Sequence, residues 1–326
     1  MTMKLAENIY ENVDQIPTRF GYGDGLLKLG EMDERVVVLG ADLSSSLRVD
    51  LFRDAYPDRF IQTGIAEQDM MCLAAGLSLA GKIPFVSTYG VFCTGRAWDQ
   101  LRTTVAYGNL NVKVGSGHGG ISVGADGATH QALEDIAITR VIPGVTVIVP
   151  CDYHETVKAT IAAAQIEGPV VIRFGREKVP VITTPETPFQ VGKAEIYREG
   201  EDVTVVACGV MVYEALIAAE LLAQEGISAQ VINCHTVKPI DKETLIKAAQ
   251  KTKAVVTAEE HQVMGGFGSA VAEVLSQNVP VPMRFVGVQD TFGQSGDPDV
   301  LMKAYGLKAE NIVQAAKEVI KIKRGG

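Results

Sequence analysis

Gly64-Ile65-Ala66-Glu67-Gln68-Asp69, continued by Met70-Met71-Cys72-Leu73-Ala74-Ala75 and closed by Pro84-Phe85-Val86-Ser87, sets the architecture of this chain. The six-residue opening marks a strand-to-helix junction. Residues 66–80 carry a helical pattern, and Pro84 to Ser87 form a short apolar strand. Continuous apolar strands separated by helices indicate a parallel sheet covered on both faces, because a solvated face would demand alternating polar positions. The alternation extends both ways. Upstream, residues 18–29 read as helix and Val36-Val37-Val38-Leu39 as strand. Downstream, strands are expected at 111–114, 146–149 and 170–172, with helices at 96–106, 131–138 and 154–165. Pro180, Pro185 and Pro188 then restrict the backbone to extended conformations, so residues 180–189 read as a linker. Beyond it come strands at 203–207, 229–233 and 254–258 and helices at 212–225, 242–252 and 267–277. The expectation is an α/β protein of two three-layer domains. The first, residues 1–187, holds a mostly parallel sheet, and the second, residues 188–326, is smaller. At about 150 residues per domain, the length of 326 agrees with two.

Composition narrows the function. Hydrophobic residues are 47% and charged residues 21%, which excludes a disordered chain, a collagen and a coiled coil. No apolar run reaches the about 18 residues of a membrane span, and residues 1–10 carry no signal-peptide core. With 30 basic and 39 acidic residues the net charge is −9, which argues against nucleic-acid binding through phosphate contacts but leaves a basic pocket for a small anion open. The five cysteines are odd in number, widely spaced and form no CxxC pair. Free thiols in a reducing cytoplasm, with no metal site, are therefore expected.

Three short motifs mislead. Gly115-Ser116-Gly117-His118-Gly119-Gly120 matches GxGxxG, but residues 121–129 read as a loop where a dinucleotide site needs a helix. Gly120-Ile121-Ser122-Val123-Gly124 matches GxSxG without the strand and helix of a nucleophile elbow. Gly23-Asp24-Gly25 matches the opening of a diphosphate–metal motif, yet no Asn-Asn completes it, so Asp24 reads as a solvated helix residue.

The chemistry concentrates between residues 64 and 130. Glu67 lies in the first turn of a helix, where an acid is also stabilised by the macrodipole alone. Tyr89 and Phe92 follow a strand end, where open α/β sheets bind ligands; they suit core packing or stacking on a flat ring. His118, Asp126 and His130 fall within 13 residues of a polar loop, and histidine can exchange protons near neutral pH. The bland reading makes Thr129 a helix N-cap and His130 a first-turn residue. Arg19, Arg173 and Arg176 are candidate anion binders, and Ser44-Ser45-Ser46 offers donors for a phosphate.

Together these segments resemble the C-terminal half of transketolase. The resemblance rests on Gly64-Ile65-Ala66-Glu67-Gln68, on Tyr89 and Phe92, and on the loop from His118 through Gly124-Ala125-Asp126-Gly127-Ala128-Thr129-His130-Gln131. Pro150-Cys151-Asp152-Tyr153-His154-Glu155-Thr156 and the later Glu260-His261 and Gly265-Gly266-Phe267-Gly268 extend it into both domains. It implies a pyrimidine-binding domain followed by a transketolase C-terminal domain, and a thiamine diphosphate cofactor. Glu67 would hold the pyrimidine nitrogen and favour the tautomer that acts as internal base, while Tyr89 and Phe92 would stack the ring. His118 and His130 would join Glu67 in catalysis. Arg19, Ser46, His118, Asp126, His130 and Arg176 would contact a sugar phosphate, Arg176 being preferred to Arg173 for the phosphate end. Because the diphosphate and Mg²⁺ site has no counterpart in this sequence, the resemblance implies a second chain of transketolase N-terminal type that holds both. It implies two copies of each chain in a heterotetramer, and ketol transfer between sugar phosphates in the cytoplasm, as in the pentose phosphate pathway. Gly95 or Thr94 stands where the family has a further aromatic, and Ile172-Arg173-Phe174-Gly175-Arg176 looks more like deoxyxylulose-phosphate synthase. The beta chain of a 2-oxo-acid dehydrogenase shares the two-domain plan, but the Asp126 to His130 loop suits a polyhydroxylated sugar better. A non-catalytic binding subunit is the third alternative.

Overall fold

The valine-rich runs that would be costly in water occupy the middle of a seven-stranded sheet. Every residue of Val36–Gly40, Ile83–Tyr89, Lys113–Gly117 and Val170–Arg173 is buried. The computed structural model describes residues 5–11 and 13–325, so the first four residues of the polar N-terminal segment lie outside it. Across the sheet the order is Thr236–Lys238, Thr146–Ile148, Val170–Arg173, Lys113–Gly117, Ile83–Tyr89, Val36–Gly40 and Phe60–Gln62. All neighbours are parallel except Thr236–Lys238, which pairs antiparallel with Thr146–Ile148. A second sheet of five strands runs Met283–Val288, Val255–Gln262, Val203–Ala207, Ala229–Asn233 and Glu195–Arg198, with only the last antiparallel. The architecture is therefore two α/β domains, each a sheet with helices.

Several elements differ from the sequence reading. The strand expected at 111–114 lies at Lys113–Gly117, and the helix expected at 131–138 starts at Asp135. Gln131 delays that helix: its Nε2 donates to the carbonyls of Ile121 and Gln294, and Ala132 bridges Gly119. Residues 96–106 form wide turns, Val91–Arg96 and Leu101–Ala106, around a short helical segment. Thr236–Lys238 follows the linker in sequence yet closes the edge of the first sheet, which blocks an unpaired strand edge. Among the described residues no helix is long and apolar enough to cross a membrane. All five cysteines are free thiols.

The glycines of Gly23-Asp24-Gly25 serve packing. Helix Thr18–Met32 lies so close to helix Tyr153–Ala164 that a Cβ on Gly25 would stand 2.7 Å from Thr160 Cβ. One turn earlier, a Cβ on Gly21 would stand 2.4 Å from the Tyr153 carbonyl oxygen. Asp24 is half-buried and accepts the Tyr153 hydroxyl at 2.6 Å, which corrects its reading as a merely solvated residue.

The start of the Tyr153–Ala164 helix anchors the seam between the halves. Asp152 caps it through Glu155 N and also accepts the backbone N–H groups of Ile182 and Thr183. Glu155 accepts Cys151 N at 2.6 Å and Asn233 Nδ2 at 2.7 Å, joining the second sheet. Burial, and then the charge of Asp152, pushes the Glu155 carboxyl up to about 7.

Two outcomes follow. Gly21→Ala should lower unfolding free energy by about 1–3 kcal/mol, because backbone oxygen cannot give way; an unchanged urea midpoint would contradict this packing. Glu155 is protonated in the folded chain at pH values where the unfolded chain has released its proton. Its contribution therefore falls as pH rises from about 4.5 to about 7 and is flat above. Glu155→Gln should remove that slope when urea midpoints of the two proteins are compared across this window, and parallel pH profiles would contradict it.

Candidate active site

The expected site residues collect just past the carboxyl ends of the parallel strands. Tyr89 ends Ile83–Tyr89, His118 follows Lys113–Gly117, Ser46 lies in the turn after Val36–Gly40, and Glu67 opens the helix after Phe60–Gln62. This edge is where open parallel sheets leave a crevice.

Four rings cluster there. Tyr89 and Phe92 stack with centroids 6.0 Å apart and planes 13° from parallel. His118 stacks on Tyr89 at 3.7 Å, and the His130 ring presents its edge to Tyr89 at 6.1 Å and to Phe92 at 5.4 Å. His118 is held with φ at +56°, a conformation that side chains seldom adopt, and its Nδ1 is buried without a hydrogen-bond partner. Burial, reinforced by the positive charges of Arg19 and Arg176 and by His130, pushes this imidazole down to about 3. It is neutral at physiological pH. His130 shares a 2.9 Å hydrogen bond between Nδ1 and the Thr129 hydroxyl. Thr129 is thus a partner of His130 and caps no helix.

Glu67 is 2% exposed, and its Oε2 accepts Arg96 Nη1 at 2.9 Å. The Arg96 guanidinium also lies 4.5 Å from the Phe92 ring centroid. Apolar side chains on and next to the helix that Glu67 opens stand in solvent: Ile65 is 73% exposed, Leu73 39% and Leu79 76%.

The candidate anion binders divide. Arg19 Nη1 donates to the Ser46 carbonyl at 2.8 Å, while Arg19 Nε is buried without a partner. Burial and the nearby Arg176 charge hold the Arg19 guanidinium below its ordinary value. Arg176 donates to the Val123 carbonyl at 2.9 Å and reaches Asp126 at 3.3 Å. Arg19 and Arg176 line a cavity of about 750 Å³ between the two halves, with Phe20, Lys178, Tyr213 and Lys308. Arg173 stands apart. Its side chain is 6% exposed, and it donates to Asp135 at 2.8 Å and to the carbonyls of Ala132 and Glu260. It is a structural cation, so of the three candidate arginines Arg19 and Arg176 are the two that face the cavity.

The second half holds the loop in place. Glu260 Oε1 accepts Ser122 N at 2.6 Å. His261 donates through Nδ1 to the Gln262 carbonyl, and its Nε2 accepts Ile136 N and Ala137 N at the start of a helix. Burial pushes His261 down to about 4, consistent with this neutral tautomer. Glu260, His261, Asp135 and Arg96 were not expected in these roles from the sequence. Only Arg96 left a local signal: it lies four residues after Phe92, the spacing at which helical neighbours meet.

The protein is of the two-domain α/β class, and the carboxyl edge of its parallel sheet gathers an aromatic pair, a buried carboxylate and two histidines. Residues 14–181 match the transketolase pyrimidine-binding domain, and residues 192–312 the transketolase C-terminal domain. The chain is 47% identical over 298 residues to the 6-deoxy-6-sulfo-D-fructose transketolase subunit SqwH of Clostridium sp. (strain MSTE9), covering 91% of this chain and 92% of that protein. It is 37% identical over 309 residues to an apulose-4-phosphate transketolase subunit of Phocaeicola vulgatus, covering 94% of this chain and 99% of that protein. A solved structure described as a split gene transketolase, inactive beta4 tetramer, superposes with a TM-score of 0.89 at 48% identity, over 94% of this chain and 99% of that one. The chain belongs to the transketolase family, whose pyrimidine-binding domain is that of thiamine-diphosphate proteins.

His118 should stay neutral throughout the working range. NMR of ¹⁵N-labelled histidine should show no His118 titration between about pH 5 and pH 9, and a midpoint inside that range would contradict the buried, cation-facing ring.

Proposed function

We propose that this chain is the C-terminal subunit of a split, thiamine-diphosphate-dependent transketolase that moves a two-carbon ketol unit from a ketose to an aldose, both ending in an anionic group. The observation that carries the reading is that Arg96 bridges the buried Glu67 carboxylate and the Tyr89–Phe92 platform, donating to the first and lying over the Phe92 ring. These residues fit the aminopyrimidine. Glu67 would hold a ring nitrogen through its carboxyl group and share a proton with it. Tyr89 and Phe92 remove the ring faces from water. Thiamine diphosphate, when bound, supplies the electron sink for breaking the bond beside the ketose carbonyl.

This chain's residues handle the sugar. His118 is neutral and its Nδ1 lacks a partner, so it can hydrogen-bond a hydroxyl or an anionic oxygen without carrying charge. His130 lies against the platform edge, near the reacting carbon, and Asp126 contacts the adjacent hydroxyl. Arg19, with its free Nε, and Arg176 clamp the anionic end; the planar fork of arginine suits such a group. Ser46 supports that end by fixing Arg19 through its carbonyl. The relatives named for a sulfo-sugar and for a sugar phosphate both fit an anionic-tailed ketose, so either tail suits this site.

The diphosphate and Mg²⁺ belong to a partner chain of transketolase N-terminal type. The exposed Ile65, Leu73 and Leu79, on or next to the helix that Glu67 opens, support a partner covering this surface, and two copies of each chain would make a heterotetramer. A cytoplasmic enzyme acting on pentose phosphates is one form of the same reading. The Asp126 to His130 loop supports a sugar over a branched 2-oxo acid.

The test is reconstitution with the partner and assay of ketol transfer from xylulose 5-phosphate and from 6-deoxy-6-sulfofructose. One ketose should be a donor, and Glu67→Ala should cut transfer by about 100-fold or more, the scale of a lost proton-transfer group. Full activity in Glu67→Ala would overturn the assignment.

A further inference from the structure

Arg96 touches both groups assigned to the pyrimidine. Its Nη1 donates to Glu67 Oε2 at 2.9 Å, and its guanidinium carbon lies 4.5 Å from the Phe92 centroid. A guanidinium is flat, carries N–H donors on its edge and has faces that stack on aromatic rings. An aminopyrimidine ring protonated toward a carboxylate answers the same description. Resting on the reading that Glu67 and Phe92 hold the cofactor ring, we propose that Arg96 is a resident surrogate for that ring. It fills the wedge between carboxylate and platform when the cofactor is absent, and it leaves when the ring arrives.

Three features support displacement over permanent support. First, the two partners are unlike in exposure: the Glu67 side chain is 2% exposed and the Arg96 side chain 49%. A buried carboxylate without a counter-charge is costly, so an empty site needs a cation, and this one already stands half in solvent with a way out. Second, Gly95 precedes it, and a Cβ built there would meet nothing within 4 Å, so the end of the turn that carries Arg96 is not packed in on that side. Third, Val91–Arg96 is a wide π-type turn, a form concentrated at functional sites, and Arg96 is its last residue. Among the described residues, Arg96 is the one ion-pair partner of Glu67.

The consequence is a competition. Ring binding must break one ion pair and one cation–π contact before making its own, so Arg96 weakens the cofactor affinity of the assembled enzyme and keeps the empty site intact. If Arg96 instead supported Glu67 throughout, removing it would weaken cofactor binding.

The experiment is calorimetric titration of thiamine diphosphate, with Mg²⁺, into the chain assembled with its N-terminal-type partner. Arg96→Ala and Arg96→Gln are measured beside wild type and Phe92→Ala; the glutamine variant keeps a polar stem should alanine disturb folding. Both Arg96 variants should bind about ten-fold tighter, the scale of one half-exposed ion pair plus one cation–π contact. Phe92→Ala should bind more weakly. Unchanged or weaker binding by both Arg96 variants, with Phe92→Ala still weakened, would overturn the surrogate and leave the pyrimidine site standing. Unchanged binding by Phe92→Ala would overturn the pyrimidine reading and the surrogate with it.

Discussion

Arg173 ends a central strand and donates to three places at once: the Asp135 carboxylate at a helix start, the Ala132 carbonyl at the end of the polar loop, and the Glu260 carbonyl in the second sheet. Its charge is buried, so these partners are required, and a buried pair of this kind fixes relative position more than it adds stability. Strand Val255–Gln262 continues the tie through successive residues. Glu259 accepts the first N–H groups of helix Phe267–Asn278, Glu260 accepts Ser122 N, and His261 accepts Ile136 N and Ala137 N. The second domain thereby holds the loop that carries Asp126 and His130, and its Tyr213 and Lys308 help line the cavity of Arg19 and Arg176.

Much of the fold was legible because buried parallel strands have an unmistakable composition. Val36–Gly40 and Val203–Ala207 have no polar face to disguise them. The misses have physical causes. Thr236–Lys238 is short and lies at an edge, where the partner strand and not the local sequence makes it a strand. The helix at Asp135 begins late because Gln131 is pinned by two distant carbonyls, a tertiary constraint without local signature. Gly25 matches the opening of a metal motif in the sequence, and its packing role, like that of Gly21, is visible only with the facing Tyr153–Ala164 helix in place.

The site was legible in its residue types and less so in its pairings. Glu67, Tyr89, Phe92, His118 and His130 do converge, since each follows a strand end of one sheet. What spacing could not give was charge state and partner. His118 is held neutral first by burial and then by the charges of Arg19 and Arg176, which come from distant segments. Arg173 and Arg176 differ by three residues, yet one points into the domain seam and the other toward the cavity. The counter-charge of Glu67 comes from 29 residues away.

On the proposed reading these arrangements are half of a site: a carboxylate and an aromatic platform for one end of a cofactor, with exposed apolar side chains on the helix that Glu67 opens. The decisive measurement is thiamine diphosphate binding, with Mg²⁺, to this chain alone, to its N-terminal-type partner alone and to an equimolar mixture. The account predicts tight binding only in the mixture, since the two ends of the cofactor are held by different chains. Equally tight binding by this chain alone would contradict it.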